Sequence, residues 1–168
     1  MAGYDTSSPW FLPLRFVHIL GAMALLGALL CYLVLKLQAD RTGDPGHASR
    51  THRGFRRADD ILIAPSALAV FAGGYSIIRF LGSKIAEHWF AIWGLVLFFV
   101  ALGFWYFGVR RLNKRLADEA DACAVQKQPL SRAYGALSVA WLASASLAVL
   151  ALVAAAFVMV FRVQLGIS

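Results

Sequence analysis

The sequence predicts an all-helical integral membrane protein in which four helices cross the bilayer as a bundle. Of its 168 residues, 60% are hydrophobic and only 15% are charged, so the apolar share is well above that of soluble domains. The apolar residues form four continuous runs, which indicates helices, because lipid cannot satisfy the backbone of an open strand. The basic residues are gathered between the runs. We therefore predict a single transmembrane domain over residues 1–168.

The first apolar run covers about residues 10–35 and is interrupted by Arg15 and His18. It exceeds the roughly 20 residues that a helix needs to cross the hydrocarbon core. Because the run is longer than a signal-peptide core and has no small-residue cleavage site, we expect it to remain in the mature protein.

The second run covers about residues 61–80 and carries Pro65 in its first turns, where proline costs a helix little. Asp59 and Asp60 directly precede this run. Since carboxylates complement a helix N-terminus, we predict that both residues cap this helix.

The third run covers about residues 88–109 and has tryptophans toward both ends, as in the aromatic belts of membrane helices. Beyond it, Lys114 precedes Asp118 and Arg115 precedes Glu119 at four-residue spacing. Such pairs support a solvated helix, so we predict that the third helix continues into the cytoplasm to about residue 126.

The fourth run covers about residues 133–161 and includes a stretch of alternating alanine and serine at residues 143–146. Small residues let helix backbones approach closely in a membrane. We therefore predict a packing seam along this stretch.

The distribution of Lys and Arg predicts the orientation of the chain. Six of the sixteen basic residues lie between the first two runs and six between the last two. The positive-inside rule places both loops in the cytoplasm and both termini outside, an N-out, C-out topology. Retention of these loops explains the net charge of +7, so we expect no nucleic-acid partner.

His18 is the clearest candidate for chemistry, because ionisable residues within a membrane are costly and are commonly functional. Helical spacing places Arg15, Gly21 and Ala22 on its face, where small residues would admit a flat macrocycle. A neutral imidazole nitrogen is an axial ligand of haem iron. We therefore predict that His18 ligates a b-type haem near the outer leaflet.

Further basic residues on the outer side would suit haem propionates, and they are Arg15, Arg79, Lys84 and Arg162. His88 opens the third run on the same side and is a candidate second ligand, although it should lie about 10 Å shallower than His18. Two alternatives for His18 stay open: a structural hydrogen bond to a backbone carbonyl or to a serine of the fourth run, and the handling of protons or a quinone.

The remaining histidines and cysteines carry structural interpretations. His88 beside Trp89 is also typical of an interfacial side chain, and we expect His47 and His52 to be solvated in the first loop. Cys31 and Cys123 are predicted to be free thiols, since two distant cysteines form no disulfide or metal framework. The sequence has no metalloprotease, phosphate-loop or serine-nucleophile motif.

Short motifs along most of the chain resemble the predicted membrane proteins of domain of unknown function 2269. They are Leu-x-x-x-His-Ile-Leu-Gly-Ala at residues 14–22, Arg-Thr-Gly-Asp-Pro at 41–45, Ala-Asp at 58–59, Ala-Pro at 64–65, Gly-Gly at 73–74 and the basic stretch 110–117.

This family looks related to a wider group that includes CopD copper-resistance proteins and HemJ, a haem-containing protoporphyrinogen oxidase. The likeness implies a role for the first-helix histidine, here His18, and a bacterial plasma membrane as the host. The chain differs from HemJ over residues 25–35, which lack its charged and tyrosine-rich pattern, and from a copper carrier in having only three Met and four His.

Together these features predict a membrane redox or electron-transfer component with a haem site at His18, Arg15, His88 and Arg79. A hydrophobic molecule such as a quinol is the substrate class that we expect. The alternative is a non-catalytic accessory subunit that packs against a larger membrane complex or against further copies of itself.

Overall fold

The computed structural model describes residues 9–80 and 88–161, and within those two ranges it is helical with no strand. The α-helices are α1 (Phe11–Thr42), α2 (Pro45–Ala58), α3 (Ala64–Phe80), α4 (Trp89–Gly103), α5 (Arg111–Val125) and α6 (Arg132–Phe161). Two π-helical segments, Asp59–Ile63 and Phe104–Arg110, join α2 to α3 and α4 to α5.

The described residues therefore form four long helices, and each is apolar and long enough to cross a membrane. The first is α1, the second is α2 with α3, the third is α4 with α5, and the fourth is α6. The predicted all-helical class and the four crossings are confirmed. Two of the basic residues predicted for the outer side, Lys84 and Arg162, lie outside the described residues.

The first long connection is helical, whereas the sequence predicted a loop from residue 36 to residue 60. Helix α1 continues to Thr42, and Gly43 ends it in the left-handed conformation with φ 64°. Asp44 caps α2 by accepting hydrogen bonds from two backbone N–H groups, and Pro45 follows at the first helical position. Hydropathy missed α2 because this helix is mostly polar and buries only one side.

The predicted capping role of Asp59 and Asp60 is wrong. The backbone is helical at Ala58 and no side chain caps the π-helical segment, so the helix runs through these residues without an N-terminus. Asp59 is fully buried and Asp60 forms an ion pair with Arg110 at 2.8 Å. Short π-helical segments within α-helices are frequent at functional sites.

The bundle is built from paired helices. In the apolar part α1 packs mainly against α3 and α4 mainly against α6, while α2 packs against α5 at the basic end. Helix α6 also contacts α5 and α1, so it joins the pairs.

The small residues of α6 form the predicted seam. A β-carbon at Gly108 would lie only 2.5 Å from the Cβ atom of Ser144, and Ala145 and Ala148 are fully buried. The seam therefore brings α6 against the π-helical segment that follows α4.

Helix α5 extends the third long helix to Val125, and its location in the cytoplasm stays a prediction. Its supporting contacts differ from the predicted ion pairs. The Glu119 carboxylate accepts a hydrogen bond from the Ser131 hydroxyl at 2.6 Å, which ties the end of α5 to the start of α6. On the opposite side Asp121 binds Ser49 and Arg53 of α2. The Ser49 hydrogen bond and then the Arg53 charge lower the pKa of Asp121.

Candidate functional sites

His18 lies where α1 crosses α3, and its position depends on two glycines. A β-carbon at Gly73 would lie 2.9 Å from the His18 Cβ atom, and one at Gly74 would lie 3.0 Å from its Cε1 atom. Both distances are shorter than ordinary carbon contacts, so the Gly73-Gly74 pair provides the space that the histidine occupies. Gly73 and Gly74 of the second crossing thus allow His18 of the first crossing to pack closely against α3.

The imidazole of His18 is held by a hydrogen bond between its Nδ1 atom and the Val70 carbonyl oxygen, at 2.7 Å. A carbonyl only accepts, so Nδ1 carries the proton and donates. Among the described residues Nε2 has no hydrogen-bond partner. A hydrogen bond from His18 to a backbone carbonyl is one of the structural alternatives that the sequence left open. The carbonyl that accepts it belongs to α3.

The small residues beside His18 divide between two environments. Gly21 is buried against α3, with Ala69 and the backbone of Ser66 within about contact distance of any added β-carbon. Helix α3 therefore occupies the space next to Gly21 in which the sequence predicted a flat macrocycle. Ala22, four residues after His18, is exposed.

The other predicted haem-site residues lie at helix ends, on the end of the bundle where α1 begins. Arg15 is exposed in the first turns of α1 and Arg79 is exposed in the last turn of α3. His88 precedes α4, with its ring centroid 5.4 Å from that of Phe90. Its Nε2 atom is buried without a hydrogen-bond partner in the described part of the chain. No hydrogen bond links these residues to each other or to His18 within residues 9–80 and 88–161.

A second group of polar residues is buried at the opposite, basic end of the bundle. We call it the polar cluster, and its members are Tyr32, Lys36, Asp40, His52, Asp59, Trp105, Asn113, Tyr134, Ser138 and Trp141. Most of these side chains are fully or almost fully buried. They come from all four long helices, so the cluster joins the bundle at one level.

Lys36 is the buried cation of the polar cluster. Its ammonium group donates to Asp40 at 2.5 Å and to the Ser138 hydroxyl at 2.8 Å. It also lies over the rings of Tyr134 and Trp141, at 5.1 and 5.9 Å from their centroids. Because its charge is paired and its donors are used, burial of this lysine is tolerated.

His52 is the buried histidine of the polar cluster, and its predicted solvation is wrong. Its Nδ1 atom lies 3.0 Å from the Asn113 side-chain oxygen, which must accept, so Nδ1 carries the proton. Asn113 also accepts from the Trp141 indole at 2.7 Å. Burial, and to a smaller extent the Lys36 charge, lower the pKa of His52 to about 4, against opposing effects of Asn113 and Asp40. His47, by contrast, is exposed as predicted.

Asp59 anchors the part of the polar cluster nearest the apolar region. One carboxylate oxygen accepts from the Trp105 indole at 2.9 Å and from the Tyr32 hydroxyl at 3.3 Å. Tyr32 also donates to the Phe55 carbonyl oxygen at 2.9 Å. The second oxygen of Asp59 and the amide nitrogen of Asn113 have no hydrogen-bond partner among the described residues.

The cluster contains two hydrogen-bonded groups, and each joins helices. Tyr134 links the Lys36–Asp40 pair to His52 in one group, and Asp59 forms the other group with the tyrosine and tryptophan described above. Aromatic rings pack between the two groups. In the described part of the chain no three His, Cys, Asp or Glu residues come together as a metal site would require. Cys31 and Cys123 are both free thiols, as predicted.

Residues 12–163 match a family described as predicted integral membrane proteins, DUF2269. The chain belongs to this family. The match covers all four long helices and confirms the resemblance drawn from the short motifs. No curated protein and no solved structure matched the chain in the corresponding comparisons. The wider likeness to CopD and HemJ proteins stays a prediction.

Sequence reasoning found His18 but missed the polar cluster, although the cluster leaves a periodic signal. In α2 the buried residues Ala48, His52 and Phe55 recur at helical spacing and lead to Asp59. In α6, Tyr134, Ser138 and Trp141 recur in the same way. Polar residues at the positions that apolar residues occupy elsewhere indicate a buried network, and hydropathy averaged over a window does not detect them.

Proposed function

We propose that this protein is a membrane redox component that binds a b-type haem through Nε2 of His18, in the outer half of a bacterial plasma membrane. The observation that supports the proposal is the hydrogen bond from Nδ1 to the Val70 carbonyl oxygen. Histidines that ligate metals usually donate their other ring N–H to such a group, which fixes the tautomer and the ring orientation.

The surroundings of His18 fit this role in three respects. Ala22, four residues after His18 and on the same helical face, is exposed and adds little bulk beside the histidine. Arg15 and Arg79 are exposed cations at helix ends on the same side of the chain, suited to carboxylate groups. His88 keeps a buried nitrogen without a described partner, as a second ligand would require.

The residues of the chain would bind the haem and adjust its reduction potential, and they would not themselves form or break covalent bonds. When bound, haem supplies one-electron transfer, and its potential depends on the axial ligand and the polarity around it. Val70 orients the imidazole, the apolar faces of α1 and α3 exclude water, and the arginines hold negative charge. A hydrophobic reductant such as a quinol would approach laterally through the lipid.

Absorption spectra of the purified protein test the proposal. We expect a Soret band and, after reduction, α and β bands, with about one haem per chain by extraction. His18→Ala should abolish the bands, whereas His47→Ala, an exposed histidine of α2, should keep them. Circular dichroism shows whether each variant retains its helices. A folded wild-type protein that stays colourless after expression with excess haem would overturn the proposal.

An accessory-subunit role is the second candidate, and the exposure of α3 favours it. In the most apolar window of the second crossing only 17% of residues are buried, against 28% in each of the other three. The apolar part of the second crossing is therefore less covered by the other helices than that of the other three. A colourless protein whose cross-linking through Leu68→Cys captures one partner subunit in fixed ratio would favour this role over haem binding.

A further inference from the structure

A groove of about 430 Å³ lies where the third long helix leaves the apolar part of the bundle. Among the described residues, its wall carries a cluster of cations and no acidic side chain. The cations are Arg56, Arg110, Arg111, Lys114 and Arg115. We call this the basic groove. Asp60 compensates one of the five by its ion pair with Arg110, so the groove keeps a large positive excess.

Aromatic rings at the membrane end of the basic groove position its arginines. The guanidinium of Arg111 lies 5.0 Å from the Phe107 ring centroid and 5.8 Å from that of Tyr106. The guanidinium of Arg110 lies 5.7 Å from the Trp105 ring centroid. A cation over aromatic rings at the end of an apolar run is placed at the headgroup level of a bilayer.

A second groove, purely apolar, adjoins the basic groove and shares Phe107 with it. It has a volume of about 300 Å³ and is lined by Val100, Gly103, Phe104 and Phe107. A β-carbon at Gly103 would meet no atom within 4 Å, so the missing side chain leaves this groove open. At 1.5 Å of rise per residue, Gly103 lies roughly 12 Å deeper along the helix than Arg111.

We infer that the two grooves together bind one anionic phospholipid of the cytoplasmic leaflet. The phosphate lies in the basic groove, where Arg111, Lys114 and Arg56 donate to its oxygens, and an acyl chain lies over Phe107 and Gly103. The order of the two grooves along the helix matches the order of charge and hydrocarbon in a lipid. A soluble phosphate ester would use the cations but would leave the apolar groove without an occupant.

Native mass spectrometry of the protein released from nanodiscs tests this inference. The discs contain equal amounts of phosphatidylglycerol and phosphatidylcholine, and we expect wild-type protein to retain phosphatidylglycerol preferentially. Arg111→Gln with Lys114→Gln should lower the retained fraction roughly tenfold or more. The control pair, Arg41→Gln with Lys127→Gln, removes the same charge from exposed sites elsewhere and should leave retention unchanged.

A second variant tests the apolar groove without altering charge. Gly103→Leu should fill the groove and reduce retention, whereas Gly27→Leu, at another glycine with no neighbour within 4 Å, should not. Three results would overturn the inference: equal losses in the two charge-removing pairs, full retention in Gly103→Leu, or displacement of the lipid by millimolar inorganic phosphate.

Discussion

At the scale of single residues, Lys36 of the polar cluster shows how a membrane protein can pair a buried charge. Lys36 reaches an acid on its own helix and a hydroxyl on α6, so its charge links two crossings. Tyr134 donates to the same acid, Asp40, at 2.7 Å. Removing one partner of such a buried pair typically costs about 3–5 kcal/mol, because the remaining charge keeps its desolvation penalty.

His52 gives the cluster a defined response to pH. Its pKa falls from the model-peptide value of 6.5 to about 4 in the folded protein, because burial disfavours the imidazolium. Between about pH 6.5 and pH 4, His52 therefore binds a proton in the unfolded chain but not in the folded chain. The contribution of neutral His52 to stability is therefore complete above about pH 6.5, and about 3 kcal/mol of it is lost as the pH drops toward 4.

Unfolding in detergent micelles at a series of pH values measures this dependence. We expect His52→Gln to have a flatter profile between pH 6.5 and 4 than the wild type, whatever its stability at pH 7. His47→Gln, at an exposed histidine, should keep the wild-type slope. A wild-type protein whose unfolding free energy is constant from pH 7 to pH 4.5 would contradict the assignment.

At the scale of elements, the sequence predicted the helices by their apolar content and missed the features that depend on tertiary contacts. The four crossings follow from runs of about 20 apolar residues, which no other membrane architecture accommodates. Helix α2 could not be found this way, since its stability comes from one buried side packed on α5. Asp59 is buried at the start of a π-helical segment, which the apolar runs of the sequence did not predict.

The crossing of α1 and α3 depends on the absence of side chains at two glycines, which gives a prediction at this scale. In Gly73→Ala the new methyl group would lie 2.9 Å from the His18 Cβ atom, so the helices must separate. Overpacking of this kind costs about 1–3 kcal/mol. The gain in helix propensity, about 1 kcal/mol, opposes it.

Gly27→Ala is the matched control, because its methyl group would meet nothing within 4 Å and should bring only the gain in helix propensity. Reversible unfolding of both variants in detergent compares the two effects. We expect Gly73→Ala to be less stable than the wild type and Gly27→Ala to be equal or more stable. Equal shifts in the two variants would show that His18 does not fill the space at Gly73.

At the scale of the whole molecule, the chain separates an apolar end that carries His18 from a basic end that carries the polar cluster and the basic groove. The sequence predicted this asymmetry from its charges, and the helices of the structure place the basic stretches together at one end. The orientation of the chain decides which leaflet holds His18 and which holds the basic groove. Residues 36–60 contribute to this asymmetry as helix rather than as the predicted loop.

Accessibility of single cysteines to a membrane-impermeant maleimide tests the orientation most directly. In a background with Cys31→Ala and Cys123→Ala, Pro9→Cys reports on the N-terminal end of α1 and His47→Cys on the start of α2, and both positions are exposed. In intact spheroplasts we expect labelling of Pro9→Cys alone, with His47→Cys labelled only after permeabilisation. Labelling of His47→Cys in intact spheroplasts, with protection of Pro9→Cys, would reverse the topology and contradict the placement of both sites.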